Sequence, residues 1–484
     1  MLIPRPHRLV RLPGRFPLGP GTALRAGDGA QRAAALLRGY LGLDLPVTPD
    51  GTFVLALDPA LRGLGEEGYG LTVGRDGVLL RAPRPAGLLH GVQTLRQLAA
   101  AAGGESLPCV QVSDRPRFGW RGVLLDVARH FLPVGYLRDF VDRCAGYKLN
   151  VLHLHLTDDQ GWRLPVAGYP LLTEVGGRRR QTAGDGVPHG GSYRAAELRS
   201  LVAYAAERGV TVMPEIELPG HARAALAAYP HLGNVPGRRL EVWERWGVCE
   251  SVFGVHDEVF DFLRTVFGTV LDLFDSPYVH IGGDECPTAE WETAPAARAR
   301  ARAAGLAGPR DLHGWFLRRA GRLLLDHGRV PVCWAEAGAA PLLPREFTVM
   351  PWRDAAHGLA AARRGHDVVM TPHRSTYLDY PQSDDPAEPP GQQPGTVTLA
   401  DVYAGEPAPA DWEPAAAARV LGTQAQLWTE YAPTPAHVDH LAFPRLAALA
   451  ETAWSHERDL ADFRRRAAAP VTTPGYTPTK EERP

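Results

Sequence analysis

Eight short, nearly continuous apolar runs separated by helical stretches constrain this chain more than any other feature of its sequence. They fall at 122–127, 151–156, 211–216, 278–281, 330–334, 347–351, 367–371 and 421–427. A strand with one wet face alternates polar and apolar residues, whereas a strand covered on both faces does not. The runs therefore predict parallel strands sandwiched by helices. Eight such strands across residues 116–470 predict an α/β fold, a (β/α)8 barrel, with enlarged loops at 178–192 and 381–394, where Gly, Arg, Pro and Asp collect. Residues 1–115 differ: β-like runs at 52–57, 69–73, 77–81 and 109–112 mix with helical stretches at 31–41 and 88–101, which predicts a small α/β domain ahead of the barrel. A length of 484 residues suits that division, because single cores stop growing well below it. The Pro- and Thr-rich end, 471–484, predicts a mobile tail.

Charge and cysteine usage narrow the partners. A formal net charge of -2 offers no broad attraction for polyanions, which argues against nucleic acid or an acidic membrane surface and in favour of a small neutral substrate. Cys109, Cys144, Cys249, Cys286 and Cys333 are odd in number and scattered, with neither a disulfide framework nor a zinc spacing. The first residues are broken by Pro4, Pro6, Pro13 and Pro17, so they lack the apolar core of a signal peptide, and no stretch is apolar enough to span a membrane. The expectation is a cytoplasmic protein.

In a (β/α)8 barrel the active site lies at the C-terminal strand ends, and here those ends are rich in carboxylates and tryptophans. The first strand runs into Asp126, Arg129 and His130, the second into Asp158 and Asp159, and the third into Glu215, Glu217 and His221. The fourth meets Asp284 and Glu285, the fifth Trp334, the sixth Trp352, the seventh Tyr377 and Asp379, and the eighth Trp428 and Glu430. Singly, each is better explained by a structural salt bridge or a core ring. Together they describe a sugar pocket, in which aromatic faces pack on pyranose C–H groups and charged groups bind hydroxyls. Asp284 and Glu285 are adjacent, with Cα atoms about 3.8 Å apart, which is a poor way to place an acid and a nucleophile on opposite sides of an anomeric carbon. The pair suits an acid beside a group that steers a nucleophile belonging to the substrate, such as a 2-acetamido oxygen.

The motifs Arg121-Gly122-Val123-Leu124-Leu125-Asp126-Val127-Ala128-Arg129-His130-Phe131, His153-Leu154-His155-Leu156-Thr157-Asp158-Asp159-Gln160-Gly161-Trp162-Arg163, Pro214-Glu215-Ile216-Glu217-Leu218-Pro219-Gly220-His221, His280-Ile281-Gly282-Gly283-Asp284-Glu285 and Gln426-Leu427-Trp428-Thr429-Glu430 occur in this order. With them the chain resembles glycoside hydrolase family 20, the β-N-acetylhexosaminidases, over nearly its whole length, its first domain included. The resemblance implies exo-acting, retaining, substrate-assisted hydrolysis of β-linked N-acetylhexosaminides, with no metal or other cofactor. It implies that Glu285 is the general acid and base, that Asp284 orients the acetamido N–H, and that Tyr377 binds the acetamido oxygen. Arg129 would bind the 3- and 4-hydroxyls, Glu430 the 4-hydroxyl and Asp379 the 6-hydroxyl, and Trp334, Trp352 and Trp428 would wall the pocket. Asp158 and His221 would set the orientation and pKa of Glu285. The tryptophans would keep that acid protonated near neutral pH. Two departures stand out: Glu217 replaces a more usual Asp, and Cys333-Trp334-Ala335-Glu336 replaces a more usual Gly-Trp-Asp-Glu.

Two other readings compete. His153 and His155 alternate on one strand, as in metal-dependent amidohydrolase-type barrels, although the matching later ligands are not found and Lys148 precedes the strand. A chelator test separates that reading. The other is a non-catalytic sugar-binding barrel, which hydrolysis of an aryl β-N-acetylglucosaminide would exclude.

Overall fold

A computed structural model describes residues 2–19, 21–335 and 343–468; the expected tail 471–484 and Glu336 lie outside the described residues. The chain opens with a six-stranded sheet in the order Arg8–Pro17, Ser106–Asp114, Tyr69–Val73, Val78–Ala82, Phe53–Leu57, Leu24–Ala26. Helices Gln31–Leu41 and Pro85–Ala101 pack on the face formed by alternate residues Phe53, Leu55, Leu71, Val73, Val78 and Leu80. Two of these strands were not expected from the sequence. Arg8–Pro17 is an edge strand, and a register shift between Arg11 and Arg15 accommodates Pro13 and Gly14, which break its pattern. Leu24–Ala26 is only three residues long.

All eight apolar runs form parallel strands: Trp120–Asp126, Val151–His155, Thr211–Leu218, Tyr278–Gly282, Val330–Trp334, Thr348–Met350, Val368–Met370 and Val420–Leu427. They close into a barrel, the eighth pairing with the first from Gly422↔Trp120 to Leu427↔Leu125. Strand alternation divides the second strand: Leu152 and Leu154 join the large core between strands and helices, while His153 and His155 take the opposite face. Inside the barrel Trp120, Leu124, Met213, Val332, Met350 and Val369 form a separate apolar cluster, with Trp334 part of it. The expected loop 178–192 carries a short antiparallel pair, Arg178–Arg179 with His189–Gly190.

Two ion pairs, one fully buried and one partly exposed at its glutamate, join Glu67 and Asp114 of the N-terminal region to the barrel. Lys148 Nζ lies 2.8 Å from Asp114 Oδ2, and Arg121 holds Glu67 through two bonds of 2.7 and 2.9 Å. Lys148 sits in the left-handed region, φ 60, and its carbonyl accepts from Arg121 Nε at 2.8 Å, so the two cations are locked together. Trp454, from the barrel's last turns, packs in the N-terminal core and donates to Asp114 Oδ1 at 2.9 Å. No disulfide joins Cys109, Cys144, Cys249, Cys286 and Cys333, all of which lie among the described residues. No helix among the described residues is long and apolar enough to cross a membrane.

Candidate active site

The fourth strand ends in a sharp turn: Gly282 has φ 61, Gly283 φ 101 and Glu285 φ 42. Gly282 is required twice over. Besides its backbone angle, a Cβ there would stand 1.9 Å from Glu217 Oε2, so the glutamate carboxyl occupies the space a side chain would need. The turn delivers Asp284 and Glu285 to the strand-end rim. His221, itself at φ 49, comes from the loop after the third strand and faces both: its Nε2 lies 3.7 Å from Asp284 Oδ2 and 3.7 Å from Glu285 Oε2. Non-glycine residues in this backbone region cost about 1–3 kcal/mol and collect where function over-determines geometry.

Behind His221 lies an ordered chain of charge. Its Nδ1 is 3.1 Å from Asp158 Oδ1 and 3.2 Å from Asp159 Oδ2. Asp158 Oδ2 in turn meets Arg129 Nη2 at 2.8 Å and His155 Nε2 at 2.7 Å. Arg129 gathers the rest of the acidic rim: Asp126 at 3.4 Å, Glu430 at 3.7 Å, and Gln160 Oε1, which accepts from its Nε at 3.2 Å. The guanidinium lies 4.9 Å from the centre of the Trp428 ring.

The aromatic residues form a continuous line. Ring centres separate Trp334 from Trp428 by 6.1 Å, Trp428 from Tyr377 by 6.3 Å and Tyr377 from Trp352 by 6.3 Å. Tyr377 is fixed by a bridge to Gln426 of the eighth strand, two residues before buried Asp379, whose Oδ1 is buried with no hydrogen-bond partner among the described residues. The structure therefore brings every site residue expected from the sequence to one rim. Gln160 and Arg179 join them without having been expected to. Arg179 donates to the Arg129 carbonyl at 2.7 Å from the short hairpin, a long-range backbone contact that leaves no pattern in the sequence.

Burial opposes charge on His221, but Asp158 and Asp284 outweigh it and raise its pKa well above the usual value. One expectation is corrected as a result. The hydrogen bond and charge of His221, which was expected to set this pKa, lower it for Glu285 against the opposing effect of burial, where the tryptophan walls were expected to keep the acid protonated. Burial raises Asp379 and Glu430, with Glu430 adding to the shift of Asp379. It also raises Glu217 far above the usual carboxyl range, helped by Asp284 and Glu215.

The sets His153/Glu215/His280, His155/Glu215/Glu217, Asp158/Asp159/His221 and His221/Asp284/Glu285 each place ligand-type atoms close together. Donors around a tetrahedral zinc stand roughly 3.3 Å apart. His280 Nδ1 and His155 Nδ1 approach Glu215 to 2.6 and 2.5 Å, the spacing of ion pairs. The His-x-His pair is thus committed to neighbouring side chains, His153 Nδ1 taking the Gln424 amide at 2.9 Å.

The model of the glycosyl hydrolase family 20 catalytic domain matches residues 118–457, and that of the family's domain 2 matches residues 1–115. A β-hexosaminidase of Porphyromonas gingivalis is 41% identical over 88% of this chain, which spans 56% of that protein's length. One from Akkermansia muciniphila is 40% identical over 86% of this chain and 85% of its own. Among solved structures, Streptomyces plicatus N-acetyl-β-hexosaminidase in complex with Thio-NAglucal aligns with a TM-score of 0.84 and 34% identity, over 97% of this chain and 93% of that one. The chain belongs to glycosyl hydrolase family 20.

Proposed function

We propose that the protein is an exo-acting, retaining β-N-acetylhexosaminidase that releases terminal β-linked N-acetylglucosamine or N-acetylgalactosamine, with the substrate's own acetamido oxygen as nucleophile. The observation that carries this reading is that Asp284 and Glu285 are neighbours in sequence and share one imidazole nitrogen of His221 at 3.7 Å. Retaining enzymes with a protein nucleophile set two carboxylates about 5–5.5 Å apart across the sugar, from different parts of the fold. Here the acid and its partner stand side by side. Glu285 protonates the leaving oxygen and then activates water, while Asp284 orients the acetamido N–H and stabilises the oxazolinium-like cation. Tyr377 binds the acetamido oxygen from the aromatic line, and Trp334, Trp352 and Trp428 enclose the methyl group and the ring. Arg129 takes the 3- and 4-hydroxyls, Glu430 the 4-hydroxyl and Asp379 the 6-hydroxyl, with Asp379 Oδ1, which has no hydrogen-bond partner among the described residues, facing its hydroxyl. Ligands at these hydroxyls close the non-reducing end, which makes the action exo. Asp158 and His221 hold Glu285 in place. No metal is assigned a role.

On this reading the chain comprises a domain at 1–115 and a catalytic domain at 116–470, and every proposed site residue comes from the second. Five cysteines with no disulfide among them, four of them buried, fit a reducing compartment, and a cytoplasmic location is part of the proposal. The test compares aryl β-N-acetylglucosaminide, β-N-acetylgalactosaminide and β-glucoside, each with and without a chelator. Turnover of the first two, none of the third and indifference to chelator are expected. Loss of activity with chelator would restore the metal-dependent reading, and an initial α-anomer by NMR would exclude the acetamido nucleophile.

A further inference from the structure

We infer that Glu215, a residue with no place among the sugar-binding groups, is the positioning residue that couples the Trp334 wall to the acid Glu285. The inference rests on the hexosaminidase reading above. Glu215 is fully buried, on the third strand, level with His155 on the second and His280 on the fourth. Its two oxygens serve opposite halves of the site. Oε1 accepts from Trp334 Nε1 at 2.9 Å and faces His280 Nδ1 at 2.6 Å. Oε2 faces His155 Nδ1 at 2.5 Å, with His153 Nε2 at 3.2 Å.

From Oε1 the connection ends on the pocket wall, because the Trp334 ring is wedged between His280, 4.6 Å away, and Trp428, 6.1 Å away. From Oε2 it runs outward to the acid. His155 has a carboxylate oxygen at each nitrogen, Glu215 on one side and Asp158 at 2.7 Å on the other, so both nitrogens must donate and the ring is an imidazolium. Asp158 then receives His221 Nδ1 at 3.1 Å, and His221 reaches Glu285. Acid and imidazole alternate along this line: Glu215, His155, Asp158, His221, Glu285. A carboxylate buried this deeply persists only when its hydrogen bonds are filled. Because one carboxylate fills them from both halves, wall and acid cannot shift independently.

The experiment is a double-mutant cycle of Trp334→Phe, which keeps the ring and removes the N–H, with His155→Gln, run in the parent and in the Glu215→Gln background. Each enzyme is assayed for kcat and KM on an activated aryl and an alkyl β-N-acetylglucosaminide. Glu215→Gln should raise KM on both by about 10-fold and lower kcat on the alkyl substrate by about 100-fold, with the aryl substrate spared by about 10-fold. Trp334→Phe should reproduce mainly the KM change and His155→Gln mainly the kcat change. In the parent the two should couple by about 5-fold or more, and in the Glu215→Gln background by less than about 2-fold. Additivity in the parent, or equal kcat losses by Glu215→Gln on both substrates, overturns the inference. If Glu215→Gln does not fold, Glu215→Asp takes its place as the background of the cycle, because Trp428 touches both Trp334 and His155 and could couple them in the parent. A parent inactive on both substrates would instead mean that the hexosaminidase reading has failed.

Discussion

Glu285 stands between two opposing influences, and their balance sets how the site responds to pH. The His221 imidazolium favours the carboxylate, and burial favours the acid. In the proposed role Glu285 protonates the leaving group only below its own pKa, so the present balance would place the alkaline limb of kcat/KM lower than burial alone would. Removing the cation in His221→Gln should move that limb to higher pH, while kcat itself falls because the chain from Asp158 ends there. An unmoved or lowered limb in a pH–rate profile would separate His221 from the acid. Glu285→Gln should reduce kcat on alkyl glycosides by about 100-fold or more and spare activated aryl substrates, whose leaving groups need less protonation. Comparing the two losses checks the role directly, and equal losses contradict it. The adjacency of Asp284 and Glu285 was legible in the sequence, as was the supporting place of His221. The sign of the Glu285 shift was not, because it depends on a distance of 3.7 Å between segments 64 residues apart in sequence.

The turn at Gly282 and Gly283 works as one element with the third strand. Glu217 fills the space beside Gly282, and the strand pair Glu215↔His280 and Leu218↔Gly282 shifts register between these positions. In Gly282→Ala the new methyl must displace the Glu217 carboxyl or the turn itself, and a displacement of about 1 Å at the acid can cost 100-fold in rate. Activity should therefore fall by about that factor, with far-UV circular dichroism unchanged. Glu217→Asp in the same chain, shortening the obstructing arm by one methylene, should recover part of the loss. No recovery would place the damage in the backbone angle, φ 61, and not in the contact. Elements were legible wherever burial wrote a pattern. The eight barrel strands are covered on both faces and appear as unbroken apolar runs, whereas Arg8–Pro17, exposed at nearly every position and interrupted by Pro13 and Gly14, carries no such pattern. Gln160 sits inside a recognisable motif, yet its role at Arg129 becomes visible only when the second strand's loop folds back over the first.

On the scale of the whole molecule, the first domain supplies no proposed site residue, yet it is bound to the barrel by charges that neither part can bury alone. Asp114 receives Lys148, Trp454 Nε1 and the His7 backbone N–H, and Glu67 receives Arg121 and Asn150. Breaking a buried pair from one side leaves the other charge stranded, at a cost of about 3–5 kcal/mol. Asp114→Asn should therefore destabilise the protein by about that amount at pH 7, measured by urea unfolding, while the folded fraction keeps the parent kcat. The effect has a defined pH dependence. Burial opposes the Asp114 carboxylate, but Lys148 and the hydrogen bonds lower its folded pKa below the usual value. Its contribution is complete above the unfolded pKa of about 3.9 and is lost as pH falls through the folded one. The stability gap between parent and Asp114→Asn should therefore narrow in acid. A gap that holds constant to low pH would mean that the aspartate stabilises by packing. A fall in kcat of the folded enzyme would mean that the first domain reaches the chemistry through the barrel floor, where Lys148 and Arg121 lead into the first two strands.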